Sequence, residues 1–336
     1  MPLTIERRQL QAQAPAREHL RQVSVKGDRA AFLQTDGRID VVSLETGERI
    51  WSRTTRSEPA HVRLSRTGRH LLVFAADRLS CELWSVDQGV RIAGFEREGR
   101  TPQPLTVSFM VDRAGRELFL LSRKDMVLES FAAHDATRIF SVDCRNPLAY
   151  HFTALVPMAD GDTVIAIGCQ ASEGKDSFYR FSLGLCVSDP DLSGRMEATN
   201  REPADYAYRV AAGPCGSDAL VAFRDPEDDE TLEDDERPRD ALHSFKGLYV
   251  RRLGDLEVVE RIPYDAPLAT GAILMGTEDA IVVDRGREVD LVERGQGDHS
   301  GLVTSLGDAI YILEPFSGVI YSVRPGANVE AISFHR

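Results

Sequence analysis

Apolar and polar residues alternate in short runs along most of this chain. In GRIDVVSLETGERIW (37–51), Ile39, Val41 and Val42 precede an E-T-G turn, and a second short run ends at Trp51. Alternation of period two over a handful of residues predicts half-buried strands, and the Gly-containing turn between them predicts a hairpin. The unit recurs as DRLSCELWSVDQGVRIAGF (77–95), MVLESFAAHDATRIFSV (126–142) and KGLYVRRLGDLEVVERI (246–262), with turns at D-Q-G, H-D-A and L-G-D. An Arg-Ile pair falls at 49–50, 91–92, 138–139 and 261–262, so the first two intervals are 42 and 47 residues and the third, 123, holds two units with insertions.

Two further alternating runs precede the early units: LRQVSVKG and RAAFLQTDG, then HVRLSRTG and HLLVFAADR, then LTVSFMVDRAG and ELFLLSRKD. Four strands per repeat and a period in the forties predict propeller blades. The physical reason is burial, because a lone four-stranded meander hides little apolar surface and radial stacking covers each face with its neighbour. The only helix-friendly stretch, RRQLQAQAPAREHL (7–20), is interrupted by Pro15.

The expectation is therefore an all-β fold, a single β-propeller of four-stranded antiparallel blades. Seven blades are counted, at 20–55, 59–98, 104–143, 147–200, 206–264, 266–297 and 298–336, with six or eight as the alternatives. The sixth is thin, with GQGDHSG (295–301) as its fourth strand. Residues 1–19 form a separate N-terminal segment whose alternating PLTIERRQL is expected to join the last blade and close the ring, leaving 20–336 as the propeller domain.

The order of hydrophobic alternation, turn, Thr-Gly and Ile-Trp resembles the outer hairpin of WD-repeat and pyrroloquinoline-quinone-type propeller blades. Leu83-Trp84-Ser85-Val86 sits where a WD repeat carries its Trp-Asp pair, with serine in place of aspartate, and the Gly-His dipeptide of that family is missing. The resemblance implies the fold. Quinone-binding relatives stack their cofactor on tryptophan, whereas this chain has only Trp51 and Trp84, both on outer hairpins, so no cofactor is expected.

Composition narrows the function. The net charge is −13, which opposes nucleic-acid binding. Only Lys26, Lys124, Lys175 and Lys246 of the 40 basic residues are lysine, a bias that reads as a GC-rich, bacterial genome. No apolar run reaches a membrane span, and MPLTIERRQLQAQAP lacks a signal-peptide core. Five scattered cysteines, at 81, 144, 169, 186 and 215, read as reduced thiols in a cytoplasmic protein.

Ten acidic residues and two arginines crowd into DPEDDETLEDDERPRD (225–240), a net of −8. Such a block is a solvated insertion in the fifth blade, and its sharper reading is a docking loop for a basic protein partner through Asp228, Asp229, Glu230, Glu233, Asp234, Asp235 and Glu236. Asp225, Glu227, Asp229 and Glu236 also fall at calcium-loop offsets, but Glu230 replaces the required glycine. Asp189, Asp191, Ser193 and Glu197 surround Gly194 in DPDLSGRME (189–197), a second calcium candidate, where Asn200 stands in place of the final glutamate; a plain turn is the competing reading.

The eight histidines lack ligand spacing, and no hydrolase or nucleotide fingerprint is present. Phe74, Phe119, Phe131, Phe140, Tyr311 and Tyr321 are expected to pack between blades. The resulting expectation is a monomeric, non-catalytic interaction scaffold. A propeller hydrolase or lyase working in the central channel and a small-ligand sensor are the alternatives.

Overall fold

The computed structural model of the chain describes residues 4–55, 59–98, 104–124, 127–143, 149–158, 160–170, 176–182, 207–212, 218–223, 248–252, 258–262, 273–276, 280–284, 289–293, 303–306, 309–314 and 317–335. These residues form strands and no helix, paired antiparallel into seven sheets. The chain opens with β1 (Thr4–Gln13). The first sheet runs β2 (Leu20–Lys26), β3 (Arg29–Gln34), β4 (Arg38–Ser43) and β5 (Arg49–Thr54), and the second β6 (Pro59–Leu64), β7 (His70–Ala75), β8 (Ser80–Ser85) and β9 (Val90–Glu96). The third holds β10 (Thr106–Val111), β11 (Glu117–Lys124), β12 (Val127–Ala132) and β13 (Arg138–Asp143). The fourth, over the described residues, has β14 (Ala149–Pro157), β15 (Thr163–Gln170) and β16 (Asp176–Ser182). The fifth contains β17 (Ala207–Ala212), β18 (Asp218–Phe223), β19 (Leu248–Arg252) and β20 (Val258–Ile262). The sixth contains β21 (Ile273–Gly276), β22 (Ala280–Asp284), β23 (Val289–Glu293) and β24 (Val303–Ser305). The last is β25 (Ile310–Glu314), β26 (Val319–Val323) and β27 (Asn328–His335), completed by β1.

First strands of neighbouring sheets lie side by side: β2 with β6 and β25, β10 with β14, β14 and β21 with β17, and β21 with β25. Arg63 links β6 to β10, its Nη1 donating to Val107 O at 2.8 Å. First strands thus converge while fourth strands splay, which is the radial arrangement of a β-propeller. An inner strand leaves one row of backbone groups unpaired, and such groups need partners. Side chains of the preceding sheet supply them. Gln22 both donates to Val62 O and accepts from Val62 N, Ser24 Oγ accepts from Leu64 N, and Thr106 Oγ1 donates to Phe152 O.

The core lies between sheets rather than inside them. Leu33, Ile39, Val41 and Trp51 of the first sheet meet Val62, Leu71 and Trp84 of the second, with the two indoles 6.0 Å apart. Phe74, Phe119 and Phe131 join the second sheet to the third, Phe140 faces the fourth, Tyr311 lies between the sixth and last, and Tyr321 between the last and first. Stacking of this kind gives strands two buried faces, which is why β3, β7 and β11 read as continuous apolar runs.

The recurrent Arg-Ile pair marks a bulge. Val41 pairs with Trp51 and Val42 with Arg49, leaving Ile50 as the extra residue; Ile92 and Ile139 are the extra residues in the second and third sheets. In the fifth sheet the extra residue is Val259, so Arg261-Ile262 stands out of register with the other three pairs. The fourth strand of the sixth sheet is the three-residue β24, past GQGDHSG and inside the span counted from sequence as the seventh blade; three residues are too few to show a period.

The turn before each bulge puts its third residue in the left-handed region: Gly47 at φ 72°, Gly89 at 69° and Ala136 at 59°. At Gly47 a Cβ would also sit 2.7 Å from Gln11 O, on β1. Gly47→Ala should therefore cost about 2 kcal/mol, whereas Ala136→Gly should gain up to about 1 kcal/mol, because only the latter relieves strain. Denaturant midpoints moving in the same direction would contradict this account of the turn.

Candidate functional site

The third strand of four sheets carries a carboxylate at one repeated register. Asp40, Glu82, Glu129 and Asp290 each stand opposite a small residue on the fourth strand: Ser52, Gly94, Ser141 and Ser305. The missing bulk leaves room for a cation. Arg38 Nε and Gln34 Nε2 donate to Asp40 at 3.0 and 2.7 Å. Arg123 Nε donates to Glu129 at 2.6 Å, with Arg138 nearby, although Glu129 is only 2% exposed. Asp40 and Glu129 are occupied by their own sheets, so they hold register rather than await a ligand. Sequence reading missed them. The available signal was an apolar-acidic doublet in I-D-V-V, C-E-L-W, L-E-S-F and V-D-L-V.

At the second sheet this motif opens into a cleft of about 660 Å³. It runs along the sheet end where β5, β7 and β9 finish and β8 begins, reaching Arg123 at the end of β11. The Arg53 guanidinium lies 3.9 Å from the centre of the Trp84 ring, a cation–π contact. Trp84 Nε1 and Arg91 Nε both donate to Glu82, each at 3.1 Å. Gly94 makes this possible, because a Cβ there would collide with Arg91 Nη2. At the far wall Arg123 bridges Glu98 and Glu129 at 2.7 and 2.6 Å, and Lys124 holds Glu98 at 2.8 Å.

The cleft can bind charged and hydrogen-bonding groups, and the one thiol that lines it is unreactive. Burial, followed by the Glu82 charge, pushes Cys81 up to about 12, so the nucleophilic thiolate is scarce at neutral pH. His70 is committed elsewhere. Its Nδ1 lies 2.5 Å from Glu117 Oε2 on the third sheet, and Thr67 N and Oγ1 donate to the same carboxylate, each at 3.0 Å. Among the described residues no three His, Cys, Asp or Glu side chains gather as a metal site would require. No helix among those residues is long and apolar enough to cross a membrane.

The calcium candidates Asp189, Asp191, Ser193 and Glu197 lie outside the described residues, as does the whole acidic run 225–240 with Asp228, Asp229, Glu230, Glu233, Asp234, Asp235 and Glu236. The flanks of that run are described: β18 and β19 pair up to Ala222 opposite Leu248, so the run spans the two arms of a hairpin.

No protein-family model matches the chain, and no curated protein is detectably similar to it. Among solved structures, it is similar to hydrazine synthase of Kuenenia stuttgartiensis, with a TM-score of 0.61 at 12% identity over 93% of this chain and 94% of that one. In all, 1651 chains of solved structures match, so the likeness speaks for the propeller fold alone.

Proposed function

We propose that this chain is a non-catalytic propeller that serves as a protein-interaction platform in the bacterial cytoplasm, acting as a monomer. The observation that carries the reading is the open, charged cleft at the end of the second sheet, whose arginines and glutamates are already arranged by ion pairs. Charged side chains already held in place by ion pairs suit recognition of a polar partner surface with little ordering cost. The second support is the −8 run at 225–240, which would steer a partner with a basic surface towards the ring. Within the propellers, the outer hairpin with Trp84 favours placement beside the WD-repeat-like and pyrroloquinoline-quinone-like families.

Removing 225–240 tests this directly. The arms of the hairpin meet without the run, so the thermal midpoint should stay within a degree or so, as for other surface loop changes. Proteins captured from the native cell by the full chain at about 50 mM salt should be lost both on deletion and at about 500 mM salt. A partner retained by the deleted chain would remove the acidic run from the reading. A large fall in midpoint would make the run structural.

A further inference from the structure

Two guanidinium groups and an imidazole gather beside this cleft with no carboxylate among them. His61 and Arg63 are two residues apart on β6, hence on one face, and that face looks towards the third sheet, where Arg63 meets Val107 O. His61 pairs across the strand with Phe74, a cleft residue, and their rings stand 5.5 Å apart. Arg78 completes the group from the turn after β7, held at φ 57° with its backbone O accepting from Leu105 N at 3.0 Å.

We propose that His61, Arg63 and Arg78 form a binding site for a small oxyanion, a phosphate or carboxylate group, beside the cleft residue Phe74. This goes beyond the platform reading and does not depend on it. Among the described residues, none of the three has a carboxylate partner, and the adjacent Asp77 is turned to the backbone N of Leu79 at 2.8 Å. Both arginines are solvent-exposed, so a ligand can reach them. Their mutual repulsion is felt within the cluster. Surrounding protein first, then Arg63 and Arg78, holds His61 down at about 4. A bound oxyanion offsets the repulsion between the two arginines and favours the protonated form of His61. Two guanidinium forks supply donors in the plane that phosphate and carboxylate oxygens prefer, and the neutral imidazole can give its N–H or take a proton as the anion arrives. A cation cluster in a chain of net charge −13 also separates this spot from the surface around it.

The experiment titrates the intact protein with sodium phosphate and, separately, sodium acetate, against sodium chloride at matched ionic strength. It follows the imidazole resonances of His61, assigned by loss in His61→Gln. Saturable shifts are expected, with the His61 pKa raised by about one unit in the bound form. Phosphate alone saturating assigns a phosphate ligand, acetate alone a carboxylate ligand, and either supports the site. Arg78→Gly should leave the melting temperature unchanged or slightly higher, since glycine suits that backbone, and weaken binding about tenfold or more. Arg63→Gln, which can still donate to Val107 O, should weaken it similarly. Shifts that grow linearly with concentration, match those in chloride, or persist in both variants would overturn the proposal.

Discussion

A chain lacking residues 1–13 should lose its cooperative fold, or melt more than about 10 °C lower, because β1 completes the last sheet and ties it to the first. β1 pairs with β27 from Thr4 opposite His335 to Gln13 opposite Asn328. Gln11 N and Ala12 N donate to Leu44 O of the first sheet, and Asn328 Nδ2 donates to Leu10 O. Leu10 and Ala12 are buried in the cluster that joins the last sheet to the first. Truncation therefore strips the outer edge of the last sheet and exposes apolar faces between the chain's ends, a combination that favours aggregation. A synthetic peptide of residues 1–16 added in trans should restore part of the lost stability. A truncated protein that melts like the full one would refute this role for β1.

Glu117→Ala should lower stability by about 3 kcal/mol, on the order of 5 °C in melting temperature. The substitution removes the acceptor shared by Thr67 N, Thr67 Oγ1 and His70 Nδ1; water can replace it at the exposed Thr67, so most of the loss comes from the mostly buried His70–Glu117 pair. Glu117→Gln keeps one acceptor and should cost less. The latch also carries a pH dependence. Burial would raise the Glu117 pKa, but the hydrogen bonds from His70, Thr67 and Ser65 outweigh burial and hold it below the usual carboxylate value. A depressed folded pKa means that the contribution is complete above the unfolded value of about 4.3 and disappears as pH falls through the folded one. The difference in midpoint between the native protein and Glu117→Gln should accordingly shrink below about pH 4. An equal difference at pH 7 and pH 3 would mean that the carboxylate charge contributes nothing.

What the sequence disclosed followed from periodicity. Strands, outer-hairpin turns and the stacking of Phe119 or Tyr321 between sheets all leave a local trace, because alternation and left-handed turn residues are properties of neighbouring positions. Arg-Ile at 49–50, 91–92 and 138–139 was visible as a repeat, yet its cause, a bulge at the isoleucine, appears only when the partner strand is paired. The same spacing misled at 261–262, where Val259 bulges instead. The carboxylates at Glu82 and Glu129 were overlooked because an acid inside a buried strand makes sense only with its arginine, and Arg91 or Arg123 arrives from another strand. The cleft and the His61, Arg63 and Arg78 cluster were illegible for the same reason, since they join a first strand to a turn and to sheets on either side.

The central claim is that one ring of mutually buried sheets, tied at the chain's ends, supports everything on its surface. Trp51 and Trp84 lie together between the first two sheets, so their fluorescence reports that sector, while far-ultraviolet circular dichroism reports every sheet. Denaturant unfolding followed by both probes should give superimposable transitions, with a calorimetric enthalpy equal to the van't Hoff value. Two separated transitions, with the tryptophan sector unfolding apart from the remainder, would contradict a single closed ring.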